Sequence, residues 1–202
     1  MIRFRRYSPG DSAAVAALAA WAMHDAGTDP TDIPGHADVN HIETAYLDAG
    51  GEFVVGLRDP AEEAAGDWGP HDRGTFETGD GLVVATGGYL PEESDREAAA
   101  ESAENSREAA AESVARDDRE AVELHRMRVA PPCQGRGYGR QLLAELEERA
   151  RTEGYSRVLV TTARRQERAL ALYAGADYRR VGTSRNGAYK LIHFEKSLGG
   201  RL

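Results

Sequence analysis

Cysteine and lysine are almost missing from this chain. Cys133 is the one cysteine among 202 residues, so no internal disulfide can form, and a zinc site built on several thiolates is not expected. Lys190 and Lys196 are the two lysines among 25 basic residues. Scarce lysine beside 34 acidic residues fits a salt-rich cytoplasm, and fits a GC-rich genome favouring Arg, Ala and Gly equally well. No apolar run reaches the roughly 18 residues of a membrane span. The opening Met1-Ile2-Arg3-Phe4-Arg5-Arg6 leads into polar sequence, not into the apolar centre of a signal segment. A soluble, cytoplasmic protein with no membrane partner is the expectation. Aromatic residues make up 7% and do not interleave with arginine in a stacking pattern, so no nucleic-acid partner is expected. His36 and His41 lie in a stretch with no fixed ligand geometry, and no metal is expected. The length suits one domain with a true core.

The net charge of −9 is unevenly spread. Residues 1–58 carry −4, residues 59–80 carry −6 and residues 92–120 carry −7, whereas residues 121–202 carry +8. The last eighty residues therefore suit an anionic ligand. The two acidic blocks read as solvated surface, or alternatively as collectors of a cationic substrate.

Hydrophobic spacing predicts a strand from Ile2 to Tyr7 and a helix capped at Asp11 or Ser12 that runs to about Ala26, with Val15, Leu18, Trp21 and Ala22 at helical intervals. Asp29 to His36 is a loop. A second helix, capped by Asp38, would turn Ile42, Ala45, Tyr46 and Leu47 inward and end at Gly50-Gly51. Strands follow at Phe53–Leu57 and Leu82–Tyr89, with an exposed loop from Asp59 to Gly81 between them. Residues 92–120 differ in kind: Arg96-Glu97-Ala98-Ala99-Ala100-Glu101-Ser102 recurs eleven residues later as Arg107-Glu108-Ala109-Ala110-Ala111-Glu112-Ser113. Large apolar anchors are scarce there, which predicts an exposed, mobile helix or a disordered insert.

From Val122 the pattern tightens. Glu123 to Val129 alternates as a strand, Ala130 to Gly139 forms a loop, and Arg140 to Glu153 is an amphipathic helix with Leu142, Leu143, Leu146 and Ala150 inward. A buried strand at Arg157–Thr162, a short helix at Gln166–Tyr173, and strands at Tyr178–Ser184 and Ala188–Ser197 joined by Arg185-Asn186-Gly187 complete the chain. The fold class is α/β, a mixed central sheet with helices on both faces, in a single domain that carries the acidic insert.

The strand, glycine-rich turn and helix over 122–153 carry the chemistry. Glycines at 135, 137 and 139 let a backbone approach an anion above a helix N-terminus, with Arg136 and Arg140 adding charge. A dinucleotide fingerprint would need glycine at 140, where Arg140 stands, and a nucleotide-hydrolase phosphate loop needs a lysine that is absent. Gln134-Gly135-Arg136-Gly137-Tyr138-Gly139 instead resembles the cofactor motif of the GNAT (GCN5-related) N-acetyltransferases, Gln/Arg-x-x-Gly-x-Gly/Ala. Arg126-Met127-Arg128-Val129-Ala130-Pro131 resembles that family's preceding strand, Ala169-Leu170-Ala171-Leu172-Tyr173 its later helix, and Phe194-Glu195-Lys196-Ser197-Leu198 its final strand. The likeness is specific over about 122–198. Two departures are Gln166, where the family often has asparagine, and Asp177-Tyr178, where it usually has Gly-Phe.

The resemblance implies an acyl-CoA N-acyltransferase fold that moves an acetyl group from acetyl-CoA to a primary amine, without an acyl-enzyme. On that pattern Met127, Arg128 and Val129 would present backbone amides to the thioester and pantetheine. Gln134, Gly135, Arg136, Gly137, Tyr138, Gly139 and Arg140 would hold the pyrophosphate, and Gln166 would hydrogen-bond the cofactor. Tyr173 would donate to the departing thiolate. Glu123 is the preferred general base, with His125 the runner-up; each also suits an ordinary strand position. A non-catalytic acyl-CoA-binding module on the same fold, and an interaction domain built on the acidic repeat, are the alternatives. The acceptor amine, small molecule or protein, stays open, and an exposed final hairpin is a place where a homodimer could pair.

Overall fold

A computed structural model describes residues 1–27, 36–63, 68, 71–92 and 120–199. The loop expected at 29–36 and the repeat-bearing insert lie almost wholly outside the described residues. Two compact units divide the chain: Met1–Gly88 with His125–Leu146, and Tyr89–Leu124 with Glu147–Leu202. Both are mixed α and β, and no helix among the described residues is long and apolar enough to cross a membrane.

The first unit contains β1 (Arg3–Arg6), α1 (Ser12–Asp25), β2 (Glu52–Arg58) and β3 (Glu77–Thr78). It also holds most of β4 (Gly81–Pro91), the end of β5 (Ala121–Val129) and the start of α2 (Tyr138–Thr152). Its strands run in the order β1-β2-β4-β5, with β3 paired to β4. β1 meets β2 antiparallel, Arg3 opposite Leu57 and Arg6 opposite Val54. Both β2 and β4 are covered on both faces, which is why they read as unbroken apolar runs instead of alternating ones. Gly56 is required inside β2, because a Cβ there would lie 2.8 Å from Ile2 Cδ1 and 2.8 Å from Phe4 Cε1.

Two expectations for this unit are corrected. Asp38 caps no long helix: it sits in a 3-10 turn at His36–Asn40, followed by a π-helical turn at Glu43–Leu47. Its carboxylate instead accepts from Tyr46 Oη at 2.9 Å and from Arg126 Nε at 2.9 and 3.0 Å. The Asp59–Gly81 connection is not simply an exposed loop. Trp68 and Phe76 are buried, packed at tilted angles on each other at 5.1 Å and on Trp21 of α1 at 5.5 and 5.4 Å. A run dense in Gly and acid hides two aromatic anchors that α1 alone would leave without partners.

Asp11 illustrates how this unit spends a charge. It is buried, takes a bidentate pair from Arg5 at 2.7 and 2.8 Å, and accepts the Ser8 N–H at 2.9 Å. Burial works to raise its pKa, but the Arg5 guanidinium and the Ser8 amide outweigh it and hold the carboxyl below its ordinary range. A carboxylate depressed on folding contributes stability above its unfolded pKa, and loses it as pH falls through the folded value. Asp11→Asn should therefore be destabilised at neutral pH and lose stability less steeply than wild type below about pH 4. Urea unfolding across that range checks it; parallel pH profiles for the two proteins would refute the role.

The second unit holds the start of β5, then β6 (Arg157–Ala163), α3 (Glu167–Ala174), β7 (Arg179–Asn186) and β8 (Tyr189–Ser197). The strand order is β5-β6-β8-β7. β5 and β6 are parallel, Glu123 opposite Leu159; β6 meets β8 antiparallel, Thr161 opposite His193, and β8 meets β7 antiparallel. β6 was expected to be buried throughout, yet it alternates: Val158, Val160 and Thr162 are buried, while Arg157, Leu159 and Thr161 are partly open. On the closed face Tyr173 of α3 packs on Phe194 at 5.8 Å and on Tyr178 at 5.5 Å. Asp177 adopts φ +65°, the left-handed geometry expected for a residue in place of a turn glycine, and one aspartate tolerates better than most. Gly187 turns the last hairpin at φ +55°.

Candidate active site

The predicted anion loop lies in the first unit. After β5 the chain makes a 3-10 turn at Pro131–Cys133, and Gln134 Nε2 reaches back to Val129 O at 3.3 Å. Gly135 and Gly137 then adopt φ +75° and +81°, conformations that cost an L-residue roughly 1–2 kcal/mol. A Cβ built on Gly135 meets nothing within 4 Å, and one on Gly137 meets only Gln141 Nε2 at 4.0 Å. These glycines therefore serve backbone direction, not close packing, and the loop is open on that side. The Gln141 amide donates to Gly137 O at 3.1 Å, so the α2 amides before it precede the helical ladder, in the arrangement that attracts an anion. Arg140 is exposed at this end.

Arg136 is not a loose cation. Its Nη1 contacts Glu63 Oε2 at 3.0 Å, and Arg58 Nε contacts Glu63 Oε1 at 2.9 Å. Glu63 is buried, its side chain only 1% exposed. Burial opposes the charge on both arginines, and Glu63, helped by Glu62 and Tyr138 at Arg58 and by Cys133 and Tyr138 at Arg136, outweighs it, so both hold their protons more firmly than a free arginine. Arg58 also lies over the Tyr138 ring at 5.8 Å. One carboxylate thus moors the glycine loop to the segment after β2.

Met127, Arg128 and Val129 end β5 in the same unit, following Arg126, which takes φ +55° within the strand. Asp38 grips the Arg126 guanidinium and so holds this left-handed residue where the extended geometry is interrupted. His125 packs edge-on to Tyr46, ring centres 6.3 Å apart. Cys133 is buried. Among the described residues no group of three or more His, Cys, Asp or Glu gathers in a metal-binding arrangement.

Glu123 belongs to the second unit. Its Oε1 accepts from Thr161 Oγ1 at 2.9 Å; Thr161 Oγ1 lies 3.1 Å from His193 Nδ1, and His193 Nε2 lies 2.8 Å from Ser184 Oγ. Tyr173 is in this unit too, but packs on Phe194 from the opposite face of the sheet, since Phe194 and His193 alternate along β8. The sheet therefore does not bring Glu123 and Tyr173 side by side. Gln166 precedes α3, and its Oε1 accepts from Thr162 Oγ1 at 2.6 Å.

Glu63, Arg58, Thr161 and His193 were not singled out from sequence. Glu63 meets Arg136 across 73 positions, and Thr161 meets Glu123 across 38, so no spacing rule could pair them. No signal in the sequence marked Thr161: the alternation that puts it on the face of Leu159 and Arg157 appears only in the burial of the folded strand.

A family model described as the acetyltransferase (GNAT) family matches residues 55–178. No curated protein sequence matches the chain. Among solved structures, a GNAT-family acetyltransferase from Staphylococcus aureus Mu50 superposes with TM-score 0.66 at 13% identity, covering 98% of this chain and 100% of its own. The Salmonella typhimurium protein yncA, described as an acetyltransferase and solved with its cofactor acetyl-CoA, gives 0.64 at 15% identity, covering 100% and 96%. The GNAT domain of S. lividans PAT gives 0.63 at 14%, covering 97% and 90%. At such identities the likeness to these structures is one of fold.

Proposed function

Because the chain belongs to the GNAT acetyltransferase family, we propose that it transfers an acetyl group from acetyl-CoA to a primary amine, the amine attacking directly in a ternary complex. The observation that carries the reading is the pair of left-handed glycines, Gly135 and Gly137, opening onto the first turn of α2. The fit to a pyrophosphate is chemical: the first amides of α2, which precede its hydrogen-bond ladder, and the exposed Arg140 favour an anion. Gln134, tied to Val129, orients the loop. Met127, Arg128 and Val129 are the residues we assign to the pantetheine arm, and Gln166 and Tyr173 to its thiol end. The bound cosubstrate supplies an activated thioester. The chain supplies position and proton handling.

A protonated amine is no nucleophile, and an alkylammonium pKa near 10.4 leaves it protonated at neutral pH. Glu123 is the carboxylate assigned to take that proton. It lies on the opposite face of the sheet from Tyr173, so it would take the proton through intervening water and not by direct contact beside the thiol end. The family match runs through residues of both compact units. The compartment we infer is the cytoplasm.

Thermal unfolding with and without acetyl-CoA tests the site. Ligand at about 100 times its Kd should add roughly 2.7 kcal/mol, CoA should do nearly as well, and AMP should do nothing. No shift with either thioester or thiol would overturn the assignment of the loop. Release of free CoA thiol on adding primary amines then tests the transfer itself. Stabilisation without turnover of any amine would leave a binding module.

A further inference from the structure

One cavity of the second unit has no part in the site described above. Its volume is about 360 Å³, the lower end of the range for small-ligand pockets. Ala163, Arg164, Arg165, Ala188, Tyr189 and Lys190 line it. It lies at the end of β6, where Arg164 N donates to Lys190 O at 2.8 Å. Ala163, Ala188 and the Tyr189 ring form apolar walls, and the Arg165 guanidinium sits over that ring at 4.4 Å. Among the described residues no acidic side chain lines the cavity. Lys190 stands directly opposite Arg185 across the last hairpin, and like charges so paired cost stability. Among the described residues no carboxylate pairs with Arg164, Arg185 or Lys190. An anion held there relieves the repulsion, and the walls suit an apolar chain attached to it.

The cavity adjoins residues assigned to the reaction. Gln166 N donates to Ala163 O at 2.9 Å, so Arg164 and Arg165 form the turn between the cavity wall and the residue assigned to the thiol end. Ala163 also continues the partly open face of β6, one pleat, about 7 Å, beyond Thr161, whose hydroxyl holds Glu123. We propose that this cavity is the acceptor pocket and takes an ω-amino carboxylate, a primary amine joined to a carboxylate by several methylenes. The inference rests on the acetyl-transfer reading above. Arg164 and Lys190 bind the carboxylate through charge-assisted hydrogen bonds, and the alanines and the Tyr189 ring cover the methylenes. The amine stays outside, toward Gln166 and Glu123, because an ammonium set among Arg164, Arg165, Arg185 and Lys190 is repelled. An α-amino acid, whose two groups share one carbon, brings its ammonium in among those cations, and a diamine puts one in the carboxylate's place. In the transfer the amine nitrogen bonds the acetyl carbon as the thioester C–S bond breaks. The ammonium gives up two protons, one through water to Glu123 and one to the departing sulfur.

Binding is measured first, without turnover. In ¹H–¹⁵N spectra of the full chain, 6-aminohexanoate should shift the amides of residues 163–166 and 188–191, hexylamine should not, and Lys190→Ala should weaken the Kd at least fivefold. No shift in wild type overturns the pocket. In turnover, wild type should prefer 6-aminohexanoate to hexylamine, to 1,6-diaminohexane and to the isomeric 2-aminohexanoate, each at least tenfold in kcat/KM. Lys190→Ala should bring the preference over hexylamine to within threefold of unity, and Lys190→Glu should turn it toward 1,6-diaminohexane. Arg164→Ala serves the same test if the Lys190 variants do not fold. A wild type that acetylates hexylamine or 2-aminohexanoate as well as 6-aminohexanoate sinks the acceptor class and leaves acetyl transfer standing. A raised KM for acetyl-CoA in the Lys190 variants, with acceptor preference unchanged, gives the cavity to a cosubstrate phosphate and overturns the inference. Saturable amide shifts without acetylation of any amine reject the transfer reading, and the acceptor role with it.

Discussion

Glu123→Gln is expected to lower kcat for amine acetylation by roughly 10²–10⁴-fold, the usual worth of a positioned general base, while the Kd for acetyl-CoA stays within about twofold. The amide preserves the shape and still accepts from Thr161, whose hydroxyl lies 2.9 Å from Oε1 in the native protein. The strand register and the His193 contact should therefore survive. What disappears is a group able to bind the ammonium proton. The expected signature is a fall in kcat and kcat/KM together with no change in cosubstrate binding, which marks a loss confined to the transition state. Stopped-flow release of CoA thiol, with calorimetric titration of acetyl-CoA, separates the two. A kcat within about threefold of wild type would remove Glu123 from the reaction and return attention to His125, which lies against Tyr46 in the first unit.

Glu63→Ala is the substitution expected to cost most stability. The carboxylate is 1% exposed and Arg58 is 11% exposed, while Arg136 is 39% exposed. Removing the anion leaves the mostly buried Arg58 guanidinium with only the half-exposed Glu62 carboxylate at 2.8 Å. The cost therefore falls below the roughly 3–5 kcal/mol of a fully broken buried pair, to about 2–3 kcal/mol. The Arg136 contact is partly screened by water and adds little. For a chain of this size the loss corresponds to a fall in Tm on the order of 10 °C. Arg58→Met with Glu63→Leu should recover much of it, because neither charge then remains buried alone. A single Glu63→Ala cost below about 1 kcal/mol by urea unfolding would show that solvent reaches the pair. The same carboxylate steadies the loop next to Gly135 and Gly137, so the variant should also bind acetyl-CoA less tightly.

Local chemistry made much of this protein legible in one dimension. The glycine loop, the amphipathic face of α2 and the Asn186-Gly187 turn are decided within a few residues, by backbone φ and by side-chain period. Their positions in the structure follow from those local constraints. Asp177 at φ +65° is of the same kind, since the turn demands that geometry whatever the residue.

Tertiary structure decided the rest. Asp38 looked like a helix cap because an aspartate before an apolar run usually is one; here Tyr46, eight residues on, and Arg126, 88 residues on, claim its oxygens, and a charged partner outbids a lone helix amide. The 59–80 block looked like solvated acid because composition averages over residues, whereas burial is settled one side chain at a time. Glu63 goes inside because two guanidiniums meet it there, and Trp68 because α1 presents Trp21 to it. The strand β6 looked closed on both faces because valine, leucine and threonine all suit a sheet, and only the strands beside it determine which face is left open. Sequence thus determined where the backbone turns and which segments are amphipathic, because those are short-range properties. Which charge meets which, and which hydroxyl lines up with Glu123, depended on contacts between distant segments, whose energies exist only once the chain has closed on itself.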